Sequence, residues 1–192
     1  MEKREILIDE NTIKERIKEL AEQINHDYEG KELTMICILK GAMYFFTDLS
    51  RELTVDTNVE IMKVSSYIGE SSSGKVNVKL DLEKSIQGKD VLIVEDIVDS
   101  GRTIAFLLEY LKLKSPNSLR VCTFLDKRER REIDNITPDY IGFSVPNRFV
   151  IGYGLDLDNH YRNLKEIYCI TDEKDQTLEE DRTAIQKQLR RK

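Results

Sequence analysis

The segment at residues 91–103, VLIVEDIVDSGRT, holds the side chains of this chain that are best suited to chemistry. Its apolar residues predict the end of a buried strand, and the carboxylates of Glu95 and Asp96 follow at the strand's tip. A tight turn then leads into a helix. The turn consists of Asp99, Ser100, Gly101, Arg102 and Thr103.

Two properties of this segment indicate a site for a phosphorylated sugar. Backbone amides at the start of a helix bind phosphate, and Gly101 lets the backbone come close to it. Glu95 and Asp96 could accept hydrogen bonds from sugar hydroxyls or help to hold Mg2+ through water. An acidic strand end that is merely solvated is the alternative interpretation, and the turn that follows favours the binding site.

The elements around this segment alternate between helices and short apolar strands. Thr12 and Glu15 form a capping box for a first helix, which a stripe of apolar residues continues to about Gly30. Strands are predicted at 33–39, 59–65, 91–94 and 119–125, and helices at about 42–53 and from Ile104 to Leu111. This order predicts an α/β fold with a mostly parallel central sheet flanked by helices. Ligands of such sheets bind at the carboxyl ends of the strands.

The second half of the chain is less regular. Short apolar pieces at 140–143, 149–151 and 167–170 are expected to form a small flap, or hood, beside the sheet. We therefore predict one domain over 1–170, with a core at about 12–126 and a hood from about 1–11 and 127–170. Residues 171–192 form a charged extension, whose thin apolar stripe predicts a mobile or oligomer-contacting helix.

Composition excludes several classes of protein. The net charge of −6 and pI near 5.2 argue against a protein that coats nucleic acid, which needs a basic face. No apolar run reaches the roughly 20 residues of a membrane span, and the charged start lacks a secretion signal, so we expect a cytoplasmic protein. Three isolated cysteines and two isolated histidines predict neither disulfides nor a zinc site.

The segment at 91–103 matches in full the ribose-phosphate signature of the type I phosphoribosyltransferases, and the chain resembles the members of that family that act on 6-oxopurines. The resemblance extends over roughly residues 5–170. Further matching segments are LKG at 39–41, SSY at 65–67, LDKRERR at 125–131 and FVIGYGLD at 149–156, followed by Tyr161 and Arg162. It implies the family's fold and transfer of ribose 5-phosphate from phosphoribosyl pyrophosphate to hypoxanthine or guanine.

The resemblance also implies roles for residues on the sugar-phosphate side. Asp99 becomes the proton acceptor near purine N7, and the ribose and its 5'-phosphate bind at Glu95, Asp96 and residues 100–103. Mg2+ is implied as the cofactor, near Glu95, Asp96 and Asp156. Pyrophosphate contacts fall to Lys40, Gly41, Ser66, Tyr67 and Arg162.

Two further features of this side follow from the resemblance. The bond between Leu39 and Lys40 can be cis, and residues 66–75 become a lid that closes over the reacting centre and excludes water.

On the purine side, the resemblance makes Lys127 the donor to the 6-oxo group and Phe149 the ring that stacks on the base. Val150 reads the base edge through its backbone, and the carbonyl of Asp156 lies near the purine 2-position. A homodimer or homotetramer is implied as well. Two alternatives stay open, a transferase that prefers xanthine and an RNA-binding regulator on the same fold, which would need a basic surface.

Overall fold

The computed structural model describes residues 3–66, 76–171 and 177–189, which form two sheets and the helices around them. The strands are β1 (Lys3–Ile8), β2 (Glu32–Leu39), β3 (Asp56–Ser66), β4 (Val76–Leu80), β5 (Asp90–Val98), β6 (Ser118–Asp126), β7 (Tyr140–Ser144), β8 (Val150–Ile151) and β9 (Ile167–Thr171). The α-helices are α1 (Glu10–Asp27), α2 (Met43–Glu52), α3 (Arg102–Lys112) and α4 (Leu178–Leu189). None of these helices is long and apolar enough to cross a membrane.

The large sheet has the strand order β4-β3-β2-β5-β6-β7. Only β4 runs antiparallel to its neighbour, and the other four pairings are parallel. Met35 and Cys37 of β2 share one hydrophobic core with α1 and α2, whereas Ile36 and Ile38 share another with α3. Successive residues of a strand point to opposite faces, so helices cover both faces of the sheet. The predicted α/β fold with a mostly parallel central sheet is confirmed.

The second sheet is small, antiparallel and ordered β1-β9-β8. Helix α4 lies against β1 and β7, and its own residues Leu178 and Ile185 are buried in this contact. The small sheet and the chain around it stand beside the carboxyl ends of the parallel strands, where we expected the hood.

Three local predictions were wrong. Helix α1 begins at Glu10 and not at a Thr12 capping box, because Asp9 accepts hydrogen bonds from the Asn11 and Thr12 amides at 3.0 Å. Strand β5 continues to Val98, so Glu95 and Asp96 lie within it and not at its tip. Residues 140–143 are not part of the flap, because β7 pairs in parallel with β6 and completes the large sheet.

Candidate active site

Glu95 and Asp96 form a desolvated carboxylate pair near the carboxyl end of β5. The Asp96 amide donates to Glu95 Oε1 at 3.1 Å, and the Ile97 amide donates to Asp96 Oδ1 at 2.7 Å. Glu95 Oε2 is buried and has no hydrogen-bond partner among the described residues. Burial raises the pKa of Glu95 well above its ordinary value, and the charge of Asp96 raises it further. Burial also raises the pKa of Asp96. The pair is therefore short of hydrogen-bond donors or cations.

The loop that follows β2 packs directly against this pair. A Cβ atom at Gly41 would overlap the carboxylate of Asp96, so only glycine fits there. The carbonyl of Gly41 lies in turn against Gly154, which has φ +103° and also has no room for a side chain. The peptide bond between Leu39 and Lys40 is cis, the conformation that the family resemblance allowed. Two glycines from distant parts of the chain thus let this loop lie between β5 and the hood.

Arg162 closes the far side of this arrangement. Its Nη1 donates to the carbonyl oxygen of Gly154 at 2.7 Å, and its Nη2 lies 2.6 Å from Asp156 Oδ1. Arg162 also lowers the pKa of Asp96 by its charge, against the larger effect of burial. Its Nε is buried without a partner in the described part of the chain. The guanidinium is therefore held in one orientation at the cleft, with a buried Nε donor that has no acceptor among the described residues.

The turn after β5 has the geometry of a phosphate-binding loop. Gly101 adopts φ +84°, a left-handed conformation that L-residues rarely accept, and α3 begins at the next residue. The amides at the start of α3 carry the positive end of the helix dipole. A side chain at Gly101 would also meet that of Arg131. The sequence segment 99–103 therefore folds as predicted from its residue types.

The segment after β6 supplies two cleft residues that we did not assign from the sequence. Arg130 Nε lies 3.2 Å from Asp99 Oδ1, and Glu132 forms an ion pair with Arg102 at 2.6 Å. The Glu132 amide also donates to the carbonyl oxygen of Ser100 at 3.0 Å. The LDKRERR motif marked this segment, but only Lys127 was singled out in it. The charges of the two cleft residues are opposite to those of Asp99 and Arg102, but the sequence alone does not show that these residues become neighbours.

One cleft of about 650 Å3 brings most of the predicted sugar-phosphate residues together at the carboxyl edge of the large sheet. Its lining includes Lys40, Gly41, Glu95, Asp96, Asp99, Ser100, Arg102, Thr103, Asp156 and Arg162. Side chains from β3 and β4, which we did not assign from the sequence, complete one wall. They are Val64, Ser65 and Val76. The cleft combines cations with buried carboxylates, which is the polarity that a phosphorylated sugar requires.

Of the predicted purine residues, Asp156 lines this cleft, whereas Lys127, Phe149 and Val150 are not part of its lining. Lys127 is 6% exposed, its amide donates to the carbonyl oxygen of Val98 at 2.9 Å, and burial lowers the pKa of its ammonium group. The ring of Phe149 is 52% exposed, and Val150 is buried in β8 opposite Cys169. Ser66 ends β3, but its side chain, Tyr67 and the rest of the predicted lid lie outside the described residues.

The carboxylates fit a magnesium ion whose remaining ligands are water molecules and substrate oxygens. Within residues 3–66, 76–171 and 177–189, no three acidic, histidine or cysteine side chains come together as a metal site. Asp156 is already held by Arg162 and by the Asn159 amide, at 2.8 Å. Mg2+ commonly binds through one or two carboxylates together with substrate phosphates. The unpartnered oxygen of Glu95 is compatible with that mode of binding.

Comparison with known proteins agrees with this geometry. The family model described as phosphoribosyl transferase domain matches residues 4–158. The chain is 44% identical over 172 residues to a hypoxanthine-guanine phosphoribosyltransferase of Aquifex aeolicus, covering 88% of this chain and 96% of the relative. It is 48% identical over 169 residues to a Mycobacterium tuberculosis protein of the same name, covering 84% and 83% of the two chains.

A solved structure leads to the same family. The crystal structure of a Bacillus anthracis hypoxanthine-guanine phosphoribosyltransferase superposes with a TM-score of 0.83 at 40% identity, covering 89% of this chain and 99% of the other. The family model's match over residues 4–158 includes every strand of the large sheet and the signature at 91–103 that first indicated a sugar-phosphate site. This chain belongs to the phosphoribosyltransferase family.

Proposed function

We propose that this protein is a purine salvage enzyme that forms IMP or GMP and pyrophosphate from hypoxanthine or guanine and phosphoribosyl pyrophosphate. The observation that carries the proposal is the carboxylate pair of Glu95 and Asp96 beside a phosphate-binding turn, in which Glu95 Oε2 is buried and has no hydrogen-bond partner among the described residues. The names of the relatives support the choice of a 6-oxopurine. Purine N9 displaces pyrophosphate at C1 of the ribose, so one C–N bond forms as one C–O bond breaks.

The cleft can hold the sugar at three points. The amides at 100–103 anchor the 5'-phosphate at the start of α3, and Glu95 and Asp96 accept hydrogen bonds from the ribose hydroxyls. The cations of Lys40 and Arg162 hold the pyrophosphate. These contacts fix C1 while it acquires the positive charge of an oxocarbenium-like transition state, which the carboxylate pair stabilises.

We propose Mg2+ as the cofactor, bound near Glu95, Asp96 and Asp156 and by the substrate's own oxygens. When bound, the ion neutralises the pyrophosphate as it leaves. Arg162 already holds Asp156 at 2.6 Å, which positions that carboxylate at the pyrophosphate side of the cleft.

On the base, Asp99 accepts the proton at N7, and Lys127 donates to the 6-oxo group. Asp99 lines the cleft, and its charge favours the protonated form of Lys127 against the effect of burial. An adenine would present an amino donor to the Lys127 ammonium, and such unmatched polar groups discriminate strongly between substrates. Phe149 stacks on the purine face, for which its half-exposed ring is available.

Three further parts of the proposal rest on the sequence. The segment 66–75, with Ser66 and Tyr67, closes over the cleft and excludes water that would otherwise capture the ribose cation. The enzyme acts in the cytoplasm, and it assembles as a homodimer or homotetramer. Gel filtration with light scattering at several concentrations tests the last of these.

The activity is tested by supplying phosphoribosyl pyrophosphate and Mg2+ with hypoxanthine, guanine or xanthine and following nucleotide formation. We expect turnover with the first two bases, and Asp99→Asn should lower it at least about 100-fold with the fold intact, because Asn accepts no proton from N7. Asp134→Asn, at an exposed position outside the cleft, is the matched control. Preference for xanthine would replace the proposal with the alternative that the sequence left open, and a fully active Asp99→Asn would remove the role of Asp99.

A further inference from the structure

Helix α4 lies beyond residues 4–158, the part of the chain that the family model matches, yet it is joined to the main domain by specific polar contacts. Gln188 accepts a hydrogen bond from the Ser144 amide at 3.0 Å and donates one to the Ser144 carbonyl oxygen at 2.9 Å. Two turns earlier in the helix, Asp181 Oδ2 lies 2.5 Å from Arg148 Nε. Two residues of α4 thus hold both ends of the segment 144–148.

The pair of bonds to Ser144 closes the open edge of the large sheet. Strand β7 is the last strand of that sheet, with β6 on its other side. The amide and carbonyl of one strand residue point to the same side, so those of Ser144 face away from β6. The Gln188 carboxamide supplies the donor and the acceptor that a further strand would have provided.

The ion pair at the other end of the segment is protected from water. The side chain of Arg148 is 12% exposed and that of Asp181 20% exposed, so solvent screens their attraction less than that of a surface pair. Arg148 Nη2 also donates to Thr177 Oγ1 at 2.6 Å, in the turn before α4. These bonds fix the guanidinium of Arg148, the residue that directly precedes Phe149.

The segment 144–148 links β7 to β8 and determines where Phe149 stands. Its first half is fixed to the large sheet, because the Val145 amide donates to the carbonyl oxygen of Asp126 at 3.0 Å. Beyond it, the Phe149 carbonyl accepts from the Ile170 amide at 3.1 Å. Phe149 is 52% exposed, so packing does little to fix the direction of its ring. That direction depends on this backbone instead.

We propose that α4 is a positioning element for the purine site, and that Asp181 and Gln188 hold the 144–148 segment so that Phe149 meets the base. This inference rests on the proposed function, which assigns the base to Phe149. It differs from a covering role, because Leu178 and Ile185 already supply the buried apolar contact of α4. The clamp acts on the base and not on the sugar-phosphate, because the ribose residues and Lys40 stand on or next to β2, β5 and α3. Arg162 lies in the hood, but its own bonds to Gly154 and Asp156 hold it in place.

The same helix provides a matched control. Arg182 Nε donates to the carbonyl oxygen of Ile6 at 2.7 Å, and its Nη2 lies 3.5 Å from Glu5. This contact ties α4 to β1 and does not reach the 144–148 segment. Arg182→Met therefore loosens the helix while leaving the clamp in place.

The experiment compares the double variant Asp181→Ala/Gln188→Met with Arg182→Met. In the double variant we expect the KM for hypoxanthine to rise about tenfold, the effect of losing a well-placed polar contact, with the KM for phosphoribosyl pyrophosphate unchanged. Amide hydrogen exchange at 144–150 should become faster in the double variant and not in the control. Asp181→Glu retains the negative charge. With Gln188 intact, this variant should show a smaller rise in the KM for hypoxanthine than the double variant does.

The outcomes separate the clamp from the proposed function. Equal increases in both KM values, or the same exchange at 144–150 in the double variant and the control, would overturn the clamp. An unchanged hypoxanthine KM in Phe149→Leu would overturn it too, because the clamped residue would then not touch the base. If the wild-type protein formed no nucleotide, the proposed function would fail, while the exchange measurement would still decide whether α4 holds the segment.

Discussion

The sugar-phosphate wall of the cleft, built on β2, β5 and α3, and the purine wall, built on the segments after β6 and β7, hold their polar groups by different means. In the first, backbone packs on side chain: Gly41 leaves just enough room for the Asp96 carboxylate, and Gly154 for the carbonyl of Gly41. In the second, ion pairs position the chain. Asp126, 1% exposed at the end of β6, binds Arg128 at 3.2 Å and also Arg131.

This difference follows the demands of the two parts of the substrate. A ribose 5-phosphate with pyrophosphate carries fixed charges, and a site on central strands holds its groups to small tolerances. The bases hypoxanthine and guanine share the 6-oxo group but differ at the 2-position. Loop segments held at a few points by Asp126 and by α4 can adjust to that difference while keeping Lys127 and Phe149 in place.

The sugar-phosphate wall should be the less tolerant of the two, and Gly41→Ala tests it most severely. The new methyl group would overlap the Asp96 carboxylate, so either the loop or the carboxylate must move. We expect kcat/KM to fall at least about 100-fold, as displacements near 1 Å commonly cause. Steady-state kinetics with phosphoribosyl pyrophosphate as the varied substrate measures the loss.

Gly88→Ala is the control for this change. Gly88 has φ +70° and open space around its Cα, so the substitution costs about 1 kcal/mol of backbone strain and should leave activity unchanged. Wild-type kinetics in Gly41→Ala would mean that the sugar-phosphate wall is as adaptable as the purine wall, and the contrast between the two walls would be lost.

On the purine wall, Lys127→Met removes the donor to the 6-oxo group while keeping the length of the side chain. We expect kcat/KM for hypoxanthine to fall about 30- to 100-fold, the usual effect of losing one placed donor, with little change in the KM for phosphoribosyl pyrophosphate. The free energy of unfolding should not fall, because burial already lowers the pKa of Lys127 and disfavours its charge. Urea denaturation measures that quantity.

Lys165→Met, at a side chain that is 76% exposed, serves as the control and should change neither quantity. If the KM for phosphoribosyl pyrophosphate rose as much as that for hypoxanthine, Lys127 would serve both walls and its assignment to the base would fail.

The two walls also differ in how far the sequence predicts them. The sugar-phosphate wall is local: one strand, one turn and one helix start at 91–103 place most of its groups, so residue types and spacing were sufficient. The purine wall combines residues more than twenty positions apart, and there Lys127, Phe149 and Val150 came from the family resemblance alone. Arg130 and Glu132 were missed, because their partners Asp99 and Arg102 become neighbours only in the folded chain.

The remaining errors have similar physical causes. A short apolar run such as 140–143 does not reveal which sheet it joins, and only its pairing with β6 decides. Asp9 and Thr12 are both suitable N-cap residues, and Asp9 caps the helix because its carboxylate reaches two amides. The docking of α4 depends on Ser144 and Arg148, which lie more than 30 residues before their partners in the sequence.

The smallest effect that we expect concerns stability. It tests whether folding buries the carboxylates of the sugar-phosphate wall at a cost in free energy when they are charged. A carboxyl group whose pKa is raised by folding binds its proton more tightly in the folded protein than in the unfolded chain. Its contribution to stability is complete below the ordinary pKa, 4.5 for Glu95, and is lost as the pH rises through the raised value. Wild-type protein without ligands should therefore lose stability as the pH rises through the range above 4.5.

Glu95→Gln removes one of the two charges, so it should flatten this dependence and raise the free energy of unfolding at pH 8 by ~1–2 kcal/mol. Glu60→Gln is the matched control: Glu60 is 7% exposed on β3 and accepts from the Glu83 amide at 3.0 Å, outside the cleft. Urea denaturation at several pH values between 5 and 9 gives the slopes. Parallel slopes for wild type and Glu95→Gln would mean that water or a cation already satisfies Glu95 in the free protein. The carboxylate pair would then have no unsatisfied acceptor for a ligand, and the sugar-phosphate wall would not differ from the purine wall in this respect.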